Sequence, residues 1–207
     1  MKHAWKTTLF LLPSLLIYLP DRAQARVAEG QLQISPIIGI AVPLGTLRDL
    51  QRTGYTSGLS LDYMASEEIA LGVDLNGTHF YGSSRRESTG WDGYRDVFYG
   101  CTLAHYGAHL KWYLTQPQYP NPFLEAGAGA VTTYSTRVVR QSGMRSRNED
   151  EKTVLGYRLG VGLDLKISRL ASGLATVTYH AFDNPNGGMI LHFWTARFAL
   201  AFQFRPI

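Results

Sequence analysis

The sequence predicts an all-β chain, eight antiparallel strands closed into an up-and-down transmembrane β-barrel, and three observations predict it. The first is alternation long enough to cross a tilted bilayer. Ile190 to Phe204 keeps Ile190, Trp194, Phe198, Leu200, Phe202 and Phe204 on one face and Thr195, Arg197 and Gln203 on the other, over 15 residues. The second is hydropathy. No apolar run of about 18 residues follows Ala25 and mean hydropathy is −0.11, which excludes helical spans but not a barrel, whose every second residue faces inward. The third is the start of the chain. Lys2 and Lys6, an apolar stretch from Leu9 to Leu19 broken by Pro13, and Ala23-Gln24-Ala25 make an export signal with a small-residue cleavage site. Residues 1–25 are therefore read as a cleaved signal peptide and 26–207 as one barrel domain.

Each strand follows from its own alternation. Strand one, Gln31 to Val42, sets Leu32, Ile34, Ile38, Ile40 and Val42 on one face, and a loop through Arg52 follows. Strand two, Tyr55 to Met64, opposes Tyr55, Leu59, Leu61 and Tyr63 to Thr56, Gly58, Ser60 and Asp62. After a tight turn, strand three, Ile69 to Tyr81, opposes Ile69, Leu71, Val73 and Leu75 to Gly72, Asp74, Asn76 and Thr78. A polar segment, Gly82 to Asp96, leads to strand four, Val97 to Leu114, with Tyr106, Leu110 and Trp112 opposite His105, His109 and Lys111. Strand five, Phe123 to Ser135, is rich in Gly and Ala and brings Glu125 to the polar face. Its expected loop, Thr136 to Lys152, is the most charged part of the chain. Strand six, Thr153 to Ile167, alternates Leu155, Tyr157, Leu159, Val161 and Leu163 with Gly156, Arg158, Gly160, Gly162, Asp164 and Lys166. Strand seven runs from Ser172 to Phe182 and strand eight from Ile190 to Phe204.

A soluble carrier barrel of lipocalin type alternates in the same way, with the faces reversed, so the composition of the polar face decides the orientation. That face is crowded with Gly, Ala, Ser and Thr, which suits a narrow lumen better than a water-facing surface. Asp62, Asp74, Glu125 and Asp164 are therefore assigned to the lumen with Lys111, Arg158, Lys166 and Arg197, four acids against four bases. Connection lengths orient the barrel: the first, third, fifth and seventh read as long external loops, the others as short periplasmic turns, leaving both mature termini periplasmic. Tyr55, Tyr63, Tyr81, Tyr106, Trp112, Tyr134, Tyr157 and Trp194 fall mostly near strand ends on the apolar face, where interfacial girdles belong.

The opening I-S-P-I-I-G-I-A-V-P-L-G from Ile34, the strand-turn-strand L-D-Y-M-A-S-E-E-I-A-L-G-V-D-L, the F-L-E-A-G-A-G-A stretch from Phe123 and the closing F-A-L-A-F-Q-F cover nearly all of the chain after residue 25. On these features the chain resembles the small eight-stranded outer-membrane barrels, the outer membrane protein β-barrel domain family of OmpX-like, OmpA-like and opacity-type proteins. The resemblance implies a bacterial outer-membrane location, contact with outer-membrane lipid, and recognition of the last strand by the barrel assembly machinery. That strand usually ends on an aromatic residue, whereas here Arg205-Pro206-Ile207 follow Phe204.

Composition excludes several functions. Removing Lys2, Lys6, Arg22 and Asp21 with the leader lowers the net charge from +4 to +2, which implies no nucleic-acid partner. Cys101 is the only cysteine, so there is no intramolecular disulfide and no cysteine-rich metal cluster. His180 faintly resembles the His-x-Ser segment of outer-membrane lipid A deacylases, but Phe182 stands two residues on, no Ser follows Ser172 and no Glu follows Glu151. His105 and His109 lie about 13 Å apart on one strand face, too far to share a metal ion. The sequence therefore predicts no catalytic centre, no cofactor and no metal. Arg85, Arg86, Arg137, Arg140, Arg145 and Arg147 give the external side a basic character suited to the phosphates of lipopolysaccharide or to an acidic glycan. The expected role is structural or surface-interacting. A small pore for ions or polar solutes is the alternative.

Overall fold

A computed structural model of the chain describes residues 29–88, 94–114, 120–141, 144–168, 170–183 and 190–204. The expected leader, 1–25, and the residues after Phe204 lie outside the described residues. The elements are β1 (Leu32–Pro43), α1 (Gly45–Leu50), β2 (Gln51–Met64), β3 (Ile69–Gly82), β4 (Ser84–Ser88), β5 (Tyr94–Tyr113), β6 (Asn121–Gln141), β7 (Met144–Lys166), β8 (Ala171–Asp183) and β9 (Ile190–Phe204). Each barrel strand pairs antiparallel with its neighbours. β1 joins β2 and β9, and the pairing of β3 with β5 completes a closed eight-stranded up-and-down barrel. β4 continues outward from β3 as a short strand against the start of β5.

The alternation sets the faces as the sequence predicts. Ile38, Leu59, Leu75, Leu159 and Ile190 are exposed on the outside, while Gln33, Ser60, Asn76, Thr178 and Gln203 are buried inside. An apolar exterior around a polar interior is the reverse of a soluble carrier barrel, whose cargo needs an apolar lumen. All eight aromatics assigned to the girdles are exposed. Tyr63 and Trp112 stand at the inner ends of β2 and β5, whereas Tyr106 and Tyr157 stand mid-strand on β5 and β7. Their mid-strand position marks how far these strands continue beyond the apolar belt.

That continuation corrects the expected loops. Thr136 to Lys152 is not a loop. β6 and β7 pair without interruption up to Gln141 and Met144, leaving a two-residue connection at 142–143. The expected loop at Gly82 to Asp96 is likewise largely a hairpin of β4 with β5. The expected loop through Arg52 is the single turn α1, and β2 begins at Gln51. The end expected to face outward is therefore distinguished by strands that run on, not by long loops. The physical reason is that alternation reports one buried face, and a ribbon with water on both faces has none to report. Thr136, Val138 and Val139 supply β-propensity within it.

Inside, the side chains are layered. One apolar cluster, with Met64, Ala70, Tyr113, Phe123, Leu174 and Ala199, lies toward the inner end. A second, with Leu47, Phe80, Cys101, Leu103, Phe182 and Phe193, lies toward the outer end. These bulky residues were not expected in a lumen read as Gly, Ala, Ser, Thr and charge. Charged groups occupy the level between the clusters.

Candidate functional site

The eight charges assigned to the lumen are all buried. Alternation puts each on the inner face, and the barrel curvature then brings distant strands together. Lys111 Nζ on β5 donates to Asp62 Oδ2 on β2 at 2.8 Å. The other oxygen of Asp62 lies 2.6 Å from His109 Nε2, and because an ionised carboxylate only accepts, that nitrogen carries the proton. His109 Nδ1 is 3.8 Å from Asp74 Oδ1 on β3. Arg158 on β7 donates to Asp74 Oδ2, and its Nε sits 2.9 Å from Glu125 Oε1 on β6. Arg197 NH2 on β9 closes the line on Glu125, at 3.0 and 3.1 Å, and donates to Thr178 Oγ1 at 2.7 Å.

One continuous path thus runs from Lys111 through Asp62, His109, Asp74, Arg158 and Glu125 to Arg197, and it ties six barrel strands across the interior. Asp62 is 0% and Arg158 2% exposed. At such burial, an ion left without its partner costs several kcal/mol, so the value of the arrangement lies in its completeness. Two inner-face glycines make room for it. A Cβ at Gly72 would lie 2.5 Å from both Asp62 Oδ1 and His109 Nε2, and one at Gly127 would lie 2.8 Å from Arg158 Nε.

Three of the four acids and three of the four bases lie on this path. Asp164 and Lys166 stand apart, nearer the inner end, where Lys166 Nζ donates to Gln203 Oε1 at 2.7 Å. Asp164 neighbours Ser172 and Lys166 without a hydrogen bond of normal geometry. The register separates them: Asp164 pairs with Asn121 and Leu174, below Glu125 and Arg158. Sequence reasoning missed His109 as the link between two carboxylates, and His105, 3.6 Å from Asp74, as its neighbour. The available signal was their spacing of two and six from Lys111, which puts all three on one face of β5. His180 is accounted for by packing, stacked on Phe193 at 4.5 Å with Nε2 3.0 Å from Thr195 Oγ1. The two cavities bordering the network are each about 20 Å³, room for about one water molecule.

Of the six arginines assigned to an external surface, the side chains of Arg137 and Arg147 are described. Arg137 turns into the barrel mouth, 5.9 Å from the Tyr99 ring centroid. Arg147 pairs with Glu149 in the open. Arg85, Arg86, Arg140 and Arg145 have side chains outside the described residues, but backbone register aligns Arg86 with Asp96, Asp96 with Arg140, and Arg140 with Arg145. Along this outer ribbon β7 pairs with β8 only from Gly156 onward. Among the described residues, the edge of β7 from Met144 to Leu155 that faces away from β6 has no strand beside it.

No protein-family model matches the sequence, and neither does any curated protein. Solved structures do match. Ail, the attachment invasion locus protein of Yersinia pestis, is 14% identical with a TM-score of 0.57, over 85% of this chain and 99% of that one. The same protein in complex with the heparin analogue sucrose octasulfate is 14% identical with a TM-score of 0.53, over 85% and 99%. The outer membrane protein OprG from Pseudomonas aeruginosa is 12% identical with a TM-score of 0.50, over 86% and 98%. Identities this low establish architecture, and the architecture is that of the small eight-stranded outer-membrane β-barrels.

Proposed function

We propose that this chain is an integral barrel of a bacterial outer membrane, with a lumen plugged by its own side chains and a structural and surface-interaction role. The observation that carries the reading is the layering of the lumen. Apolar clusters lie on either side of a charged level in which Lys111, Arg158 and Arg197 are paired with Asp62, Asp74 and Glu125, and the neighbouring cavities have room for about one water each. An ion entering would have to break pairs in a low-dielectric interior, where that cost is greatest. The apolar belt with aromatic residues toward both ends supports placement in lipid. The signal sequence supports export, and β9 is the strand offered to the assembly machinery.

Interaction is assigned to the outer ribbon. Its strands carry the arginines at 85, 86, 140, 145 and 147, and guanidinium groups there suit the phosphates of neighbouring lipopolysaccharide or an acidic glycan. The charged open edge of β7 resists indiscriminate strand addition, which favours a partner of complementary charge. No step of this reading requires catalysis, a cofactor or nucleic acid.

Planar-bilayer recording of the folded protein tests the plugged lumen. The expected result is a flat current trace under applied voltage. Stable, reproducible single-channel steps would replace this reading with that of a small pore.

A further inference from the structure

The edge of β7 that faces away from β6 carries a charge order that is its own complement. From Arg145 to Glu151 the strand reads R-S-R-N-E-D-E, bases first, a neutral centre at Asn148, then acids. Turned end for end against a second copy and centred on Asn148, the segment sets Arg147 opposite Glu149 and Arg145 opposite Glu151, each twice by symmetry. The register is selective. Sliding the centre to 147 or to 149 would set Arg147 or Glu149 against its own copy, and like charges directly opposite destabilise a sheet. The pair that Arg147 and Glu149 form within one chain stays closed in this arrangement: the two side chains, 59% and 63% exposed, become half of a square of four alternating charges. Among the described residues no strand lies beside this edge from Met144 to Leu155, so an added strand gains ladder hydrogen bonds as well as ion pairs.

We propose that this edge of β7 pairs antiparallel with the same edge of a second copy held in a facing membrane. Orientation selects the facing membrane. β7 runs from Met144 at the tip of the ribbon to Lys166 at the inner end, and two copies in one bilayer are related by an axis along its normal. With barrel strands tilted by about 35–45°, those two strands would cross at about 70–90° and could not run antiparallel. Copies projecting from two opposed bilayers run in opposite senses and meet tip over tip. The inference deepens the surface-interaction reading and rests on its placement of the ribbon outside the membrane.

The test is clustering of phosphatidylcholine vesicles that carry the full barrel, read as mean diameter by dynamic light scattering against empty vesicles. The diameter should rise severalfold with the unaltered protein, because exposed contacts that are weak singly act in number between two surfaces. The acidic variant, Arg145→Glu with Arg147→Glu, and the basic variant, Glu149→Arg with Glu151→Arg, should each leave the vesicles dispersed. In a mixture of the two populations every cross-strand attraction is restored, and clustering should return. Heat-modified mobility on electrophoresis establishes a folded barrel in each case, and cleavage by trypsin added outside establishes an outward ribbon. Dispersed vesicles with the unaltered protein overturn the inference, as do a mixture that stays dispersed and variants that cluster alone. These vesicles hold no lipopolysaccharide, so such results leave the lipopolysaccharide reading standing, whereas a chain without heat-modified mobility overturns the membrane reading and this inference together.

Discussion

The lumen and the outer ribbon are built from the same residue types, yet a charge means something different in each. In the lumen Lys111, Arg158 and Arg197 are held against Asp62, Asp74 and Glu125 with almost no water contact. On the ribbon the Arg147 and Glu149 side chains also pair, but at 59% and 63% exposure. Burial raises the cost of an unpaired charge from negligible to several kcal/mol. The inner charges are therefore fixed parts of the fold, while an exposed pair such as Arg147 and Glu149 adds little to it.

The sharpest way to break this comparison is Arg158→Met. Methionine keeps much of the volume but leaves Asp74 without a guanidinium or ammonium that touches it and Glu125 with Arg197 alone. A loss of about 3–5 kcal/mol is expected, read by urea titration of the barrel folded in phospholipid vesicles. A loss below about 1 kcal/mol would mean that water or rearranged neighbours satisfy the carboxylates, and the lumen would then be no more than a wet, exposed site.

A smaller effect is expected where charge is untouched and only space is removed. In Gly72→Ala the new methyl group falls between Asp62 and His109, whose hydrogen bond spans two strands. Overpacking of this kind costs about 1–3 kcal/mol. The same titration reads it, and a neutral result would show that the network can shift without loss.

Much of this contrast was legible in the sequence, for a definite physical reason. A period of two assigns every side chain to a face, so Asp62, Asp74, Lys111, Glu125, Arg158, Asp164, Lys166 and Arg197 could be placed inside one by one. Which of them meet was not legible, because partnership depends on barrel curvature and register between strands far apart in sequence. Arg158 meets Asp74, 84 positions away, and Asp164 meets no such partner. The ribbon was illegible for the opposite reason. Glu149 to Lys152 read as loop because neither face of that segment is apolar, although register continues without a break from Glu151 opposite Tyr134 to Met144 opposite Gln141.

The smallest stability effect, and the one that most sharpens the comparison, belongs to the ribbon. Arg147→Ala removes an exposed ion pair, so the urea midpoint should move by less than about 0.5 kcal/mol in stability. Replacing Arg140, Arg145 and Arg147 together should leave folding equally intact while lowering affinity for lipopolysaccharide-containing vesicles about tenfold, since each basic group near an anionic surface contributes up to about 1 kcal/mol. That binding should also fade at high salt, because solvent-exposed attraction is screened within about 3 Å at 1 M. Lumenal pairs, out of reach of the same ions, should leave barrel stability nearly indifferent to salt. A triple variant that binds as before would move the contact from these arginines to the backbone edge of β7. A triple variant that unfolds would show that the ribbon charges share the structural role of the lumen, and the division between the two regions would not stand.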